Sequence, residues 1–342
     1  MSDVRRARAV SVVVALTALL AASVVAGVGL GAVSIPPGEV VASILRGLRG
    51  VTEGTRDALI WDVRLPRVIL AALVGGCLAG AGTVYQALFR NPLADPYILG
   101  ISSGAGLGAT MALVLGAGTV AGSLGLVPAA AFMGAVGTMV LVVSLASSSG
   151  RMDTTSLLLA GVAVSYVLAA LMSFLMVVAR ETMASVVFWL MGGLQGASWR
   201  YVGLLLATLV VGSSVPLYLS RELNIMLLGD ERASQLGVGI ERLKYVALAS
   251  ASLLVAAAVS VSGLIGFVGL MTPHMTRLLV GPDHRVLVPA STLLGAIVLV
   301  VADLLARVVL APVELPVGIL TALAGGPFFV WLLLRWRRRS GR

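Results

Sequence analysis

Hydrophobic residues run through this chain in long uncharged intervals, separated by short clusters of arginine, glycine and proline. A bilayer core of about 30 Å takes roughly 20 consecutive apolar residues as one helix, and the intervals reach or exceed that length. The pattern predicts spans at about 10–31, 66–88, 98–118, 126–147, 155–178, 200–219, 243–262, 264–280, 287–310 and 316–334. The first follows Arg5, Arg6 and Arg8, as the core of a secretory signal would, but its apolar run is longer than the ~7–15 residues of such a core. It is therefore read as a retained helix. The uncharged interval 96–150 must be divided, and its small and turn-forming residues put the division near 122–128. Interval 245–276 is too long for one span and too short for two full ones, with a break expected at Gly263, Gly266 and Gly269.

Charge decides that last interval. Cytoplasmic loops are enriched in arginine and lysine. Two crossings put 16 of the 24 basic residues on the cytoplasmic side and 8 outside, whereas one crossing gives 10 inside and 14 outside. The expectation is an all-α, polytopic membrane protein of about ten helices. It forms a single transmembrane domain over 1–342, with both termini cytoplasmic and no separate soluble domain. Composition agrees on the solvent: 59% of residues are hydrophobic and 11% charged, against about 25% charged in soluble domains. The net charge of +9 would suggest nucleic acid if gathered in a patch, but it is spread along the span flanks. Lipid is the expected surroundings, and no nucleic-acid partner. Two histidines and one cysteine leave little material for a metal centre or a disulfide framework, so no catalytic or metal-ligating residue is assigned.

Small residues four apart mark helix contacts in lipid: Gly76 with Gly80, and Gly100, Gly104 and Gly108, each set on one helical face. Gly100-Ile101-Ser102-Ser103-Gly104 also spells a nucleophile elbow, but the strand and sheet that make an elbow reactive are missing. A membrane hydrolase acting through Ser102 or Ser103 is accordingly disfavoured. Asp303 and Arg307 lie four apart near the outer end of their span and are placed to pair. Arg277 is expected to snorkel to the inner interface, and His274 to be a hydrogen-bonded interior residue. With no charge at mid-membrane to form a proton relay, an ion-coupled secondary transporter is the poorly supported alternative. A Walker A loop needs lysine after glycine; the only lysine, Lys244, follows Leu243. The chain is therefore not read as an enzyme, and any ATP hydrolysis belongs to another polypeptide.

Two polar segments carry the remaining signal. Segment 221–244, on the cytoplasmic side, reads as two short helical stretches around Gly229 and Gly237, and its dense charge suits a partner surface. The first external loop and the span entrance after it carry Arg46, Arg49, Arg56, Arg64 and Arg67, against the orientation trend, with a surface-lying helix at 37–49. Arginine grips carboxylates bidentately, so an acidic external partner and simple interfacial anchoring both fit.

Specific motifs go further. Arg64-Leu65-Pro66-Arg67, Gln86-Ala87-Leu88-Phe89-Arg90-Asn91-Pro92-Leu93-Ala94-Asp95-Pro96, Leu99-Gly100-Ile101-Ser102-Ser103-Gly104-Ala105 and Leu158-Leu159-Ala160-Gly161-Val162 occur in that order. They are followed by Trp189-Leu190-Met191-Gly192-Gly193, Gly266-Phe267-Val268-Gly269-Leu270-Met271-Thr272-Pro273-His274, Asp283-His284-Arg285 and Glu314-Leu315-Pro316-Val317-Gly318. Over about 10–336 the sequence resembles the FecCD family of permeases, the membrane subunits of ABC importers for iron chelates, haem and cobalamin.

The resemblance implies the BtuC-like fold of type II ABC importers and a homodimer or paired permease with its path at the interface. It also implies two ATP-binding subunits on the cytoplasmic side and an extracytoplasmic substrate-binding protein. ATP and magnesium would sit on the partner subunits, with no cofactor on this chain. Arg64, Arg67 and Arg307 match the family's external docking arginines. Segment 221–241 matches its coupling helices, with Gly229, Asp230, Ala233, Leu236 and Gly237 the residues expected to act. Asn91, Leu93, Thr154 and Thr155 match the cytoplasmic gate, and the fifth span would line the path; Asp153 departs from that pattern. The implied function is ATP-driven import of a ferric siderophore or related iron chelate across the cell's inner membrane, with cobalamin and haem as alternatives.

Overall fold

The computed structural model describes residues 3–31, 33–51, 54–116, 125–148 and 151–340. Part of the expected division at 122–128, the end of the predicted span 98–118, and Arg342 lie outside the described residues. Helix α1 (Asp3–Gly29) is followed by α2 (Pro37–Leu48). Helix α3 (Gly54–Ala58) then runs through a π-helical turn, Leu59–Arg64, into α4 (Leu65–Leu88). After a 3₁₀ turn at Pro96–Leu99 come α5 (Ile101–Val114) and α6 (Leu126–Ala146). A two-residue antiparallel pair, Ser147–Ser148 with Arg151–Met152, leads into α7 (Thr154–Val178), α8 (Met183–Leu190) and α9 (Trp199–Tyr218). The polar segment forms α10 (Ser220–Met226) and α11 (Asp230–Gln235), and α12 (Ile240–Ser262), α13 (Val268–Val280), α14 (His284–Val308) and α15 (Val317–Ser340) complete the chain.

Seven of these helices are long and apolar enough to cross a membrane; the shorter apolar stretches Ile101–Val114 and Val317–Leu332 and the 13-residue α13 bring the set to about ten. Two start later than the hydropathy pattern predicts, for backbone reasons. Gly100, at φ 77, puts the start of α5 at Ile101; Gly263 at φ 65 stops α12, and Phe267 at φ 67 delays α13 to Val268. Helix α8 is too short to stand out in the hydrophobic pattern.

Helix α4 is the hub, packed against α14, α12, α13 and α9. Its glycines explain how. A methyl group at Gly75 would overlap the Gly295 carbonyl and one at Gly295 would overlap that of Gly75, while one at Gly82 would strike the Gly269 carbonyl. Lipid tails offer no hydrophobic drive for helix association, so such backbone approach supplies the dispersion contact that holds the bundle. The expected pair Gly76 and Gly80 instead faces the side chain of Thr292. A second reciprocal pair, Gly104 with Gly134, locks α5 to α6. The buried Tyr85 hydroxyl meets Ser252 Oγ at 2.8 Å, tying α4 to α12. Helix α7 is as apolar as α4 but is left open: 11% of its spanning window is buried, against 89% for the helix through α4.

Candidate functional site

Charged side chains gather at the two ends of α4, whose 24 residues span about 36 Å. At the end where α4 begins, Arg64 is 8% exposed. It donates from Nη1 to the Val28 carbonyl (2.8 Å) and from Nη2 to that of Val33 (2.6 Å). Arg307 donates from Nη2 to the Gly27 carbonyl (2.8 Å) and from Nη1 to that of Leu30 (3.2 Å). Helix α1 has no basic residue in its last turn, so its free carbonyls and negative dipole end are met by arginines from the π-helical turn before α4 and from α14. Asp303, fully buried, takes Arg67 Nε on Oδ1 (2.9 Å) and Arg307 Nε on Oδ2 (3.0 Å), and Arg67 Nη1 reaches Glu314 at 2.9 Å. The three arginines expected to reach outward are thus spent inside the molecule. Each of these guanidiniums, expected to dock a binding protein, holds carbonyls or carboxylates of its own chain. Exposed basic residues of this end include Arg49, Arg200 and, three-quarters exposed in its pair with Glu39, Arg56. Next to them α2 turns Val41, Leu45 and Leu48 outward. Trp199 Nε1 donates to the Trp61 carbonyl (2.8 Å) and Trp61 Nε1 to that of Ser43 (3.0 Å), fastening α2 to the bundle.

At the other end, Asp230 at the start of α11 pairs with Lys244 Nζ of α12 (2.8 Å) and with Arg90 Nη2 (3.5 Å), just past the end of α4. Lys244 also donates to the Met152 carbonyl (3.2 Å), and Glu241 accepts the Met152 amide at 2.7 Å. The residue after Met152 is Asp153, which caps α7 by accepting the Ser156 amide and hydroxyl, both at 2.8 Å. Those two bonds, backbone first, hold the Asp153 carboxyl below its ordinary pKa. The departure from the family pattern is therefore a helix cap. One node thus joins the polar segment 221–241, the turn after α4 and the start of α7.

The expected gate residues sit on that node's two loops. Asn91 follows Arg90, which adopts φ 47, and the Asn91 Oδ1 accepts the Leu93 amide at 2.9 Å, closing its own turn. Thr154 and Thr155 form the first turn of α7. Among the expected coupling residues, Gly229 (φ 103) and Gly237 (φ 82) make the turns that bracket α11, Leu236 is exposed, and Ala233 is fully buried. Ala233, expected as a coupling residue, packs inside the segment. Lys244, Arg90 and Glu241 had no assigned role in the sequence; the single lysine, placed near the start of a predicted span, was the available signal. Asn224 was likewise missed: its Oδ1 accepts the His284 amide (2.9 Å) and its Nδ2 donates to Asp283 (2.8 Å), fastening α10 to α14. His274 differs from expectation, since its ring packs edge-on against Phe328 and its buried Nδ1 has no hydrogen-bond partner among the described residues.

Helix α7 presents Leu159, Tyr166, Val167, Phe174 and Val177, all more than half exposed. Among the described residues no group of three or more His, Cys, Asp or Glu side chains is arranged to hold a metal ion.

Comparison with known proteins agrees with this architecture. The cobalamin import permease BtuC of Halobacterium salinarum is 49% identical over 284 residues, covering 83% of this chain and 75% of that protein. The hemin transport permease HmuU of Yersinia pestis is 43% identical, covering 84% and 87% of the two chains. A solved structure assigned to the metal-chelate type of ABC transporter, in an inward-facing conformation, superposes with a TM-score of 0.83 at 33% identity over 95% of this chain and 99% of that one. The profile of the FecCD transport family matches residues 19–335, and this multi-pass membrane protein belongs to that family.

Proposed function

We propose that the chain is the permease subunit of a binding-protein-dependent ABC importer that moves a bulky metal chelate into the cytoplasm. Two permeases would meet along the open face of α7. ATP and magnesium would be held by two separate subunits under segment 221–241, and a substrate-binding protein would dock at the opposite face. The observation that carries the reading is the Asp230 node. A push on α11 reaches Arg90 and Met152 through side chains within 3.5 Å of each other, hence both loops that carry the gate residues Asn91, Leu93, Thr154 and Thr155. A two-state element biased by a partner is what coupling requires. The excess of basic residues on the 221–241 side supports a cytoplasmic location for that end and a place in the cytoplasmic membrane. With Arg64, Arg67 and Arg307 occupied, Arg49 and Arg56 are the better candidates for meeting an acidic binding protein.

For the cargo, the named substrates of the relatives favour a corrinoid or haem over a ferric siderophore, which stays as the second choice through the metal-chelate neighbour. An uncharged path lining, such as α7 offers, suits a large cargo that must slide and not bind tightly. The test is uptake of labelled cobalamin, haem and a ferric siderophore into vesicles holding the permease with its ATPase and binding protein. Uptake of one metal chelate that needs ATP, stops with vanadate and survives a protonophore is expected. Uptake that collapses with the proton gradient and ignores vanadate would overturn the reading.

A further inference from the structure

Helix α1 leans on α14 through a small apolar cluster, Leu16 with Ala290 and Ile297, separate from the main core. Towards the N-terminal end of α1 this seam opens into two cavities of about 610 and 690 Å³ that meet at Ala9, each of a size that holds a small-molecule ligand. The first is an apolar slot between Val10, Val13 and Val14 of α1 and Val286 and Pro289 of α14; Val10 and Val14 are more than half exposed on the side of the bundle. Arg285 stands at its rim, and the adjoining cavity adds Arg8 and Arg277. Among the described residues lining the two cavities, Asp283 is the one carboxylate. It is already engaged, accepting the Asn224 amide at 2.8 Å and the Arg285 backbone amide at 3.1 Å. Arg8, Arg277 and Arg285 form no ion pair among the described residues. Three guanidiniums against one engaged carboxylate leave net positive charge at the end of a greasy slot.

We propose that this seam is a binding site for one anionic phospholipid, such as phosphatidylglycerol. Its phosphate lies against Arg8, Arg277 and Arg285 and one acyl chain lies in the slot of Val10, Val13, Val14, Val286 and Pro289. Charge complementarity selects the headgroup, since basic pockets between spanning helices recognise anionic lipid heads, and an uncompensated guanidinium at the membrane edge gains most from a fixed anion. The slot selects a lipid over free phosphate, because phosphate alone would leave its apolar walls unused. The inference rests on the membrane-spanning reading, and the orientation proposed above puts the site in the cytoplasmic leaflet; it is independent of cargo. Because Asn224 of α10 lines the same cavity, a bound headgroup sits beside the segment proposed to meet the ATPase.

The experiment is native mass spectrometry of the full chain in neutral detergent, titrated with phosphatidylglycerol or phosphatidylcholine. Phosphatidylglycerol should be retained at least tenfold more tightly. The R8Q/R277Q/R285Q variant should lose that preference, and R180Q/R200Q should keep it. V13W, which fills the slot, should weaken phosphatidylglycerol retention several-fold in a monodisperse protein, and the single R285Q change covers the case in which the triple variant does not fold. Equal retention of the two lipids, survival of the preference in R285Q and the triple variant, or full displacement by millimolar inorganic phosphate with no effect of V13W would each overturn the proposal. Lipid retention is read without transport, so failure here leaves the importer reading untouched, and failure of transport leaves this result standing.

Discussion

At the end of α4 next to Arg64 and Arg67, the guanidiniums of Arg64, Arg67 and Arg307 are committed to the last carbonyls of α1, to the fully buried Asp303 or to Glu314. At the other end, Asp230 is about a third exposed and holds Arg90 at 3.5 Å and Lys244 at 2.8 Å, joining α11, α12 and the turn after α4. The same side-chain chemistry serves two purposes because the solvent differs. Removing one partner from a buried pair strands a charge in low dielectric and costs about 3–5 kcal/mol. The Asp230–Arg90 contact, with both side chains more than a third exposed, is screened and is worth about 0–1 kcal/mol, so it can open and close at little cost, while Lys244 beneath it is buried. The Asp303 cluster is suited to holding α1, α4 and α14 together, the Asp230 node to the coupling role proposed for it.

The largest effect that sharpens this contrast is expected at Asp303. Asp303→Ala strands Arg67 and Arg307 together and should destabilise the protein by about 3–5 kcal/mol, read as a large fall in melting temperature in detergent. A melting temperature near that of the wild type would break the contrast at its strong end. Next in size, Arg64→Gln removes charged hydrogen bonds worth about 1.5–3 kcal/mol each and should lower stability without altering affinity of the surviving folded fraction for the binding protein. Charge reversal at Arg49 and Arg56 should do the opposite, weakening binding several-fold at low salt with the melting temperature unchanged. If Arg64→Gln weakens binding and the reversals do not, the Asp303 cluster is a docking site after all. The smallest effect belongs to Asp153. Its folded pKa is lowered by the Ser156 hydrogen bonds, so its ionised cap contributes above the unfolded carboxylate value near 4 and is lost as pH falls through the lower folded value. Asp153→Asn keeps a capping oxygen but not the charge. The melting difference between wild type and this variant should be clear at pH 7 and shrink below about pH 4; a difference that grew with acidity would contradict the cap.

Several elements could be read from the chain because the bilayer imposes its length on them. The predicted 66–88, 126–147 and 155–178 correspond to α4 (Leu65–Leu88), α6 (Leu126–Ala146) and α7 (Thr154–Val178). Contact register was less accessible: glycines recur so often that spacing favoured Gly76 and Gly80, whereas the backbone approach runs through Gly75 and Gly82. The basic outer end was visible as composition, but Arg67 meets Asp303 across 236 positions, and no local pattern shows such a partner. The Asp230 node was hidden for the same reason, since Lys244 meets the Met152 carbonyl 92 residues away. The family resemblance supplied the architecture; it could not say that the matched arginines are occupied, because that depends on where α1 ends.

The most direct test of the division of labour is the ratio of cargo transported to ATP hydrolysed by the reconstituted complex carrying Asp230→Asn. The account predicts a melting temperature within a few degrees of wild type, continued ATP hydrolysis, and a transport-to-hydrolysis ratio reduced at least tenfold. An unchanged ratio in a stable complex would contradict it and return the Asp230 node to a purely structural role.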